Sequence, residues 1–512
     1  MVVDIRRQTT DYGRQKQSSL MSNKNSRATF FCYIRAKQNS DTIMEMFSKE
    51  TYIARRARLK AAMGNGIGVF YGNSESSINY ADNTYPFRQD STFLYFFGII
   101  KPNLVGVIDF ESGDEWLYGD DADIDDVVWT GPLPTIADFA SMCGVAKSAS
   151  MSAFHDAIAA AKKQGRKVHF LPPYKADVTL ALASLLGIGL ADLRQECSLE
   201  LIKAVIDLRA VKSDEEIAEI ERACAIGYEM HTAAMRLVKT SATERQIHCI
   251  VDSIPLKYGG TTSFATILSQ NGQTLHNHSH HLPITPGRMM LVDAGAETPM
   301  GYASDFTRTF PVSGKFTQRQ KDVYQIVLDA NHKALELSRP GVTYQTVHLE
   351  CCKVLAAGLK SLGLMRGDVD EAVAAGAHAL FMPHGIGHMM GLDVHDMENL
   401  GQIYVGYNAE TQPIEQFGTS SLRMGRKLEP GFVVTDEPGI YFIPELVAQW
   451  RRERTNEQFI NFDEVERYLD FGGIRIEDDL LITADGARRL GERRIPAEIA
   501  DVEAEMEKTF SL

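Results

Sequence analysis

Two capping boxes set the plan of the chain. Ser213-Asp-Glu-Glu216 and Thr317-Gln-Arg-Gln320 each place a hydroxyl three residues ahead of a Glu or Gln, the pattern that satisfies free N–H groups at a helix start. The first predicts a helix to about Val238, and the second a helix to about Leu337, where Pro340-Gly341 stops it. A further helix follows each, from Ser241 or Thr243 to about Lys257 and from Tyr344 to Leu362. Apolar strands come next. In the first half they are Thr262 to Ser269, Met289 to Asp293 and Tyr302 to Val312, around the turn Thr298-Pro-Met-Gly301. In the second half they are Phe432 to Glu437, Ile440 to Phe442 and Gly473 to Thr483. Helix, helix, strands, twice over, reads as an α+β unit of two pseudo-symmetric halves that pack their sheets together.

Ahead of this unit, strands Ile67 to Tyr71 and Val105 to Asp109 alternate with helical stretches at Glu50 to Met63, near Thr135 to Met142 and at Ser152 to Lys163. That order predicts a smaller α/β domain with a mixed or parallel sheet. We divide the chain into a polar tail over 1–45, expected to be disordered, an N-terminal domain over 46–205 and a catalytic domain over 206–512. The net charge of −14 argues against nucleic acid or an anionic membrane surface as the main partner. Seven scattered cysteines without a Cys-x-x-Cys pair point to a reducing, cytoplasmic compartment. The most apolar stretch, Leu180 to Ala191, is too short to span a bilayer, so no membrane association is expected.

Chemistry concentrates in Phe381-Met-Pro-His-Gly-Ile-Gly-His-Met-Met-Gly-Leu-Asp-Val-His-Asp396, which holds His384, His388 and His395. Gly385, Gly387 and Gly391 disfavour a helix here, so an irregular strand or loop is expected. Asp293 and Asp305 lie six residues either side of Pro299, which predicts that they meet across the hairpin. Arg308 is three residues from Asp305, an odd spacing that sends the two side chains to opposite faces of a strand. Glu437 ends an apolar strand, and Glu477 is read as mid-strand in Ile474-Arg-Ile-Glu477, beside Asp478 and Asp479. Singly, each carboxylate is as well explained by an internal salt bridge. Together, four acids in apolar strands call for cations, since burying unpaired carboxylates costs several kcal/mol apiece. Two divalent ions about 3.5 to 4 Å apart would balance them. The oxygen-rich set favours Mn²⁺, with Co²⁺ and Zn²⁺ as alternatives.

These residues, in this order, resemble the pita-bread metallopeptidases: aminopeptidase P, prolidase and methionine aminopeptidase. The resemblance rests on VDAGAE, ASDFTRTFPVSGKFT, MPHGIGHMMGLDVHD, DEPGIYF and GGIRIEDDLLIT, and covers roughly Glu50 to the end. It implies metal ligands at Asp293, Asp305, His388, Glu437 and Glu477, with Asp305 and Glu477 bridging two ions and a bridging water or hydroxide as nucleophile. It implies catalytic roles for His276, His395 and Glu437, the last as proton shuttle, and a proline pocket at His384, Tyr441 and Arg475. His278, His280 and His281 are read as ordinary loop histidines. The implied substrates are peptides with proline second, and the implied assembly is a homodimer or tetramer.

Tyr85-Pro-Phe-Arg-Gln-Asp-Ser-Thr-Phe-Leu-Tyr95 resembles the Xaa-Pro-cleaving branch and favours aminopeptidase P, whereas Ser421-Leu-Arg423 and Asp470-Phe-Gly-Gly-Ile-Arg475 look more like prolidase. The expected activity is therefore Xaa-Pro aminopeptidase, with Xaa-Pro dipeptidase as the alternative. Creatinase-like enzymes and non-catalytic binding proteins share the fold, but neither class needs the five ligands.

Overall fold

The structure, a computed structural model, describes residues 44–510, so the expected tail falls outside the described residues apart from its last two positions. The N-terminal part is built on a five-stranded mixed sheet ordered Lys147–Ala149, Glu115–Tyr118, Val105–Asp109, Ile67–Tyr71 and Val168–His169. Its outer pairs are parallel and its inner pairs antiparallel. Against it pack Lys49–Ala62 and the aromatic helix Ser91–Phe97, whose Phe93, Phe96 and Phe97 are fully buried. The helix Leu199–Ala210 runs across the expected boundary at 205.

Both capping boxes form and open the helices Asp214–Leu237 and Gln318–Leu337. Their partners are Glu244–Lys257 and Tyr344–Ser361. The first pair covers a sheet of Ile267–Ser269, Met289–Ala294 and Phe306–Pro311. Its two long strands are buried at every position, and so read as continuous apolar runs rather than as alternation. The second pair covers Val433–Asp436, Asp478–Ile482 and Ala487–Arg489, beside a two-stranded ribbon of Gly439–Tyr441 and Gly473–Arg475.

Three expectations need correction. Asp293 pairs with Thr307 rather than Asp305, because the turn centres on Met300 and the register slips by one position per arm. Asp305 lies diagonally ahead of Asp293 on the same face, since residues two apart on a strand share a face. Glu477 is not mid-strand: it sits between Gly473–Arg475 and Asp478–Ile482, where a single bridge to Thr307 joins the two halves. The stretch Thr262 to Ser269 is broken into Thr261–Thr262, which pairs with Ala296–Glu297, and Ile267–Ser269.

Arg308 ties that seam together. Fully buried, it donates to the Glu477 carbonyl at 2.6 Å and to Asp478 Oδ1 at 2.6 Å, and reaches the Ile495 and Pro496 carbonyls at 3.1 and 3.0 Å. As the spacing predicts, it has turned away from Asp305.

The N-terminal part is clamped to the glycine-rich histidine stretch. Arg88 pairs with Glu297 at 3.0 Å and donates to the Leu392 carbonyl at 2.6 Å, while Ser91 donates to Asp393 at 2.5 Å. Arg209 bridges Thr92, Asp393 and Asp396, and Lys212 holds the other oxygen of Asp396 at 2.9 Å.

Replacing Arg308 by Ala leaves Oδ1 of the buried Asp478 carboxylate without its partner, while Oδ2 keeps Arg489 at 2.8 Å and Arg494 at 3.6 Å. We expect a loss of about 3–5 kcal/mol in denaturant unfolding; a loss below about 1 kcal/mol would mean that the seam relaxes without it.

Candidate active site

Asp293, Asp305, His388, Glu437 and Glu477 converge on the floor of a cavity of about 560 Å³ whose walls include Phe264, His276, His384, His395 and Arg423. Ligand-capable atoms of Asp305, His388 and Glu477 all lie within 4.8 Å of one another. His388 Nε2 stands 3.4 Å from Asp305 and 3.8 Å from Glu437.

Local structure explains this placement. The histidine stretch is irregular, as its glycines predict, and is sewn to Val433–Asp436 by a Met389–Val434 bridge and by Thr435 N–H donating to the His388 carbonyl at 2.9 Å. Gly387 is needed for that approach: a Cβ there would stand 2.1 Å from the Thr435 carbonyl oxygen. His388 Nδ1–H donates to the Met389 carbonyl at 3.0 Å, which fixes the tautomer and leaves the Nε2 lone pair facing the carboxylates.

The acids are short of partners. Asp293 Oδ1 and Asp305 Oδ1 are buried and have no hydrogen-bond partner among the described residues. Burial, followed by repulsion from neighbouring carboxylates, pushes the Asp305 and Glu477 carboxyls well above the usual range; burial also raises Glu437. One guanidinium meets the group: Arg475 binds Asp293 Oδ2 at 2.5 Å. A cluster of buried oxygens with two lone oxygens and a free imidazole nitrogen fits divalent cations, and these five side chains could hold them.

Around the floor, the outcomes differ residue by residue. His384 lines the cavity, donates through Nδ1 to the Gly385 carbonyl at 2.7 Å and accepts at Nε2 from the Tyr441 hydroxyl at 2.9 Å. Burial lowers its pKa to about 4, so it is a neutral wall at working pH. Tyr441, expected in the pocket, is fully buried behind His384 and orients that ring, because its hydroxyl is taken by His384 and by Arg475 at 2.8 Å. Arg475 touches the cavity but spends its guanidinium on Asp293, Tyr441 and Thr307. His276 lines the cavity, and so does His278, which lies in the loop as expected. His280 lies in the loop as expected but is buried, with Nδ1 2.9 Å from the Leu268 carbonyl. His395 packs its ring 4.2 Å from that of His388 and holds Glu398 at 2.5 Å through Nδ1.

Sequence reasoning missed Thr307, which donates to Glu477 Oε2 at 2.6 Å, and Asp479, which accepts the Asp305 N–H at 3.0 Å. Strand alternation could have found both, since each is two residues from a proposed ligand. Glu398 gave no such signal; it pairs at 3.3 Å with Arg423, which the resemblance of Ser421-Leu-Arg423 to prolidase picks out.

Comparison with known proteins agrees with this geometry. Residues 218–484 match the model of metallopeptidase family M24, and residues 52–169 match that of the aminopeptidase P N-terminal domain. The chain belongs to metallopeptidase family M24. It is 33% identical over 463 residues to a probable Xaa-Pro aminopeptidase of Uncinocarpus reesii, covering 87% of this chain and 91% of that one. It is also 30% identical over 478 residues to the Homo sapiens Xaa-Pro dipeptidase, covering 89% and 92%. Zinc-substituted E. coli aminopeptidase P in complex with product superimposes with a TM-score of 0.73 at 31% identity, over 90% of this chain and 99% of that chain. The pita-bread fold and the preceding N-terminal domain are thereby established for this member.

A carboxyl whose pKa is raised in the folded state holds its proton more tightly there, so it costs stability as pH rises from the ordinary carboxylate range toward the raised value. Chelator-stripped protein should therefore lose stability more steeply than stripped Asp305→Asn as pH rises above the ordinary carboxylate range. Added divalent ion should flatten the wild-type curve; equal slopes for the two proteins would count against the buried charge.

Proposed function

We propose that this chain is a metallo-exopeptidase that removes the first residue from peptides whose second residue is proline, with two divalent ions held by Asp293, Asp305, His388, Glu437 and Glu477. The observation that carries the reading is the meeting of Asp305, His388 and Glu477, with lone oxygens and a free Nε2, on the floor of a closed-in cavity. Asp305 and Glu477 would be the residues to hold both ions, and the oxygen-rich set would favour Mn²⁺. Bound there, the ions polarise the scissile carbonyl and lower the pKa of water to near neutrality.

The protein's own groups do the rest. Glu437, 3.8 Å from both His384 and His388, takes a proton from water and returns it to the leaving nitrogen. His395 and His276 donate to the oxygen that gains charge in the tetrahedral state. His384, held by Tyr441, presents a neutral ring against the proline ring. A proline amide has no N–H and a fixed φ, and a rigid wall turns that stiffness into selectivity. The division at the helix Leu199–Ala210, a cytoplasmic location and a homodimeric or tetrameric state belong to the same reading. The six described cysteines, all free, support the reducing compartment, and no described helix is long and apolar enough to cross a membrane.

One observation favours the dipeptidase alternative: the Arg423 guanidinium stands on the cavity wall, where it could read a dipeptide's terminal carboxylate. Ala-Pro and Ala-Pro-Ala assayed side by side decide between them. We expect the tripeptide to be the better substrate; cleavage confined to the dipeptide makes prolidase the assignment.

His388→Ala should lose metal and activity together, whereas His395→Ala should keep its metal and lose about 10²–10³ in kcat with a smaller change in KM. Metal content and kcat are measured on one preparation, and unchanged turnover in metal-replete His395→Ala removes that residue from catalysis.

A further inference from the structure

Away from the active-site floor, the helix Tyr344–Ser361 carries His348 and Cys352 one turn apart on one face. The short turn Ala377–Leu380 brings His378 against them. Ligand-capable atoms of the three lie within 4.8 Å of one another. Cys352 Sγ is 3.6 Å from His348 Nε2, and the two imidazole centroids are 6.2 Å apart. His348 and Cys352 are fully buried, and His378 is 1% exposed.

His378 is the anomaly. Neither of its ring nitrogens has a hydrogen-bond partner among the described residues. Buried polar groups are almost always satisfied, and one left bare needs an explanation. The neighbouring thiol shows the ordinary alternative, since Cys351 reaches the Ala330 carbonyl at 3.4 Å, whereas Cys352 Sγ lies 3.6 Å from His348 Nε2.

We propose that His348, Cys352 and His378 form a second metal site, separate from the carboxylate centre, for one soft thiophilic ion, and that Cu(I) is the ion these ligands fit best. Thiolate and imidazole are soft to borderline donors, unlike the oxygens of the active-site floor, so the two sites select different ions. One thiolate and two neutral imidazoles bring a single negative charge. A monovalent ion cancels it, whereas Zn²⁺ would leave a net charge in a dry interior and would seek a fourth ligand.

Burial keeps both rings neutral, lowering His348 to about 3 and His378 to about 4, so their lone pairs are free to ligate. The titratable neighbours acting on His348 are His378 and His384. Burial also pushes the Cys352 thiol up, so binding must displace its proton: Cys352–SH and Cu⁺ give Cys352–S–Cu and H⁺, with no change in oxidation state.

The test uses the purified full chain, stripped of metal and incubated without oxygen with Cu(I) in competition with a Cu(I)-specific chelator until the copper content is constant. Loading should be slow, because none of the three residues lines either the active-site cavity or the larger one beside it. Wild type should retain one more Cu(I) per chain than Cys352→Ala or His378→Gln, with a near-ultraviolet thiolate-to-copper band that Cys352→Ala lacks. Cys352→Ala exchanges one small buried apolar group for another, so it should fold and keep its Mn²⁺-dependent peptidase activity. Equal copper in wild type and a folded Cys352→Ala overturns the site. An excess of Zn²⁺ over the variant in a parallel incubation, with no excess of Cu(I), overturns the assignment of the ion.

Discussion

Three buried carboxylates and a half-buried fourth, with one guanidinium paired to one of them, are the constraint from which the rest of this structure follows. Asp293, Asp305, Glu437 and Glu477 come from four separate segments; Arg475 pairs with one of them, and the other guanidinium lining the cavity, Arg423, pairs with Glu398 instead. An apolar interior does not tolerate such a group without counter-charge. Asp293 is held through one oxygen by Arg475 and Glu477 through one oxygen by the Thr307 hydroxyl, while Oδ1 of Asp293 and of Asp305 has no partner among the described residues.

That anchoring runs as a chain of hydrogen bonds. Tyr441 accepts from Arg475, Arg475 donates to Thr307 and Asp293, and Thr307 donates to Glu477. Pocket wall and carboxylate floor are thus one connected unit. A change at Tyr441 is felt at Glu477 through two intermediates, although Tyr441 itself never reaches the cavity. Arg308 plays the matching role at the seam, fixing the backbone of Glu477 from the opposite face.

The histidine stretch is held differently. Its glycines let it lie against Val433–Asp436, but they also remove the side chains that would stiffen it. Stiffness comes instead from the N-terminal part, through Arg88 and Ser91, and from Arg209 and Lys212 on Asp393 and Asp396. His395 sits between these clamped aspartates and the His388 ring, so the N-terminal part has a direct share in placing a catalytic candidate. A second cavity of about 820 Å³ opens on that same segment and shares Val394 and His395 with the first.

The sequence alone determined the elements and the residue types. Capping boxes at Ser213 and Thr317, apolar runs ending in acids and glycines around His388 are local signals, because each depends on neighbours within one turn or one strand. Only the tertiary structure decided the register of the Asp293 hairpin, the place of Glu477 at a strand junction and the withdrawal of Tyr441 behind His384. It also decided the meeting of His378 with His348 and Cys352. The physical reason is common to all four: each depends on how separate segments of the chain pack against one another. Local spacing carries no record of that choice.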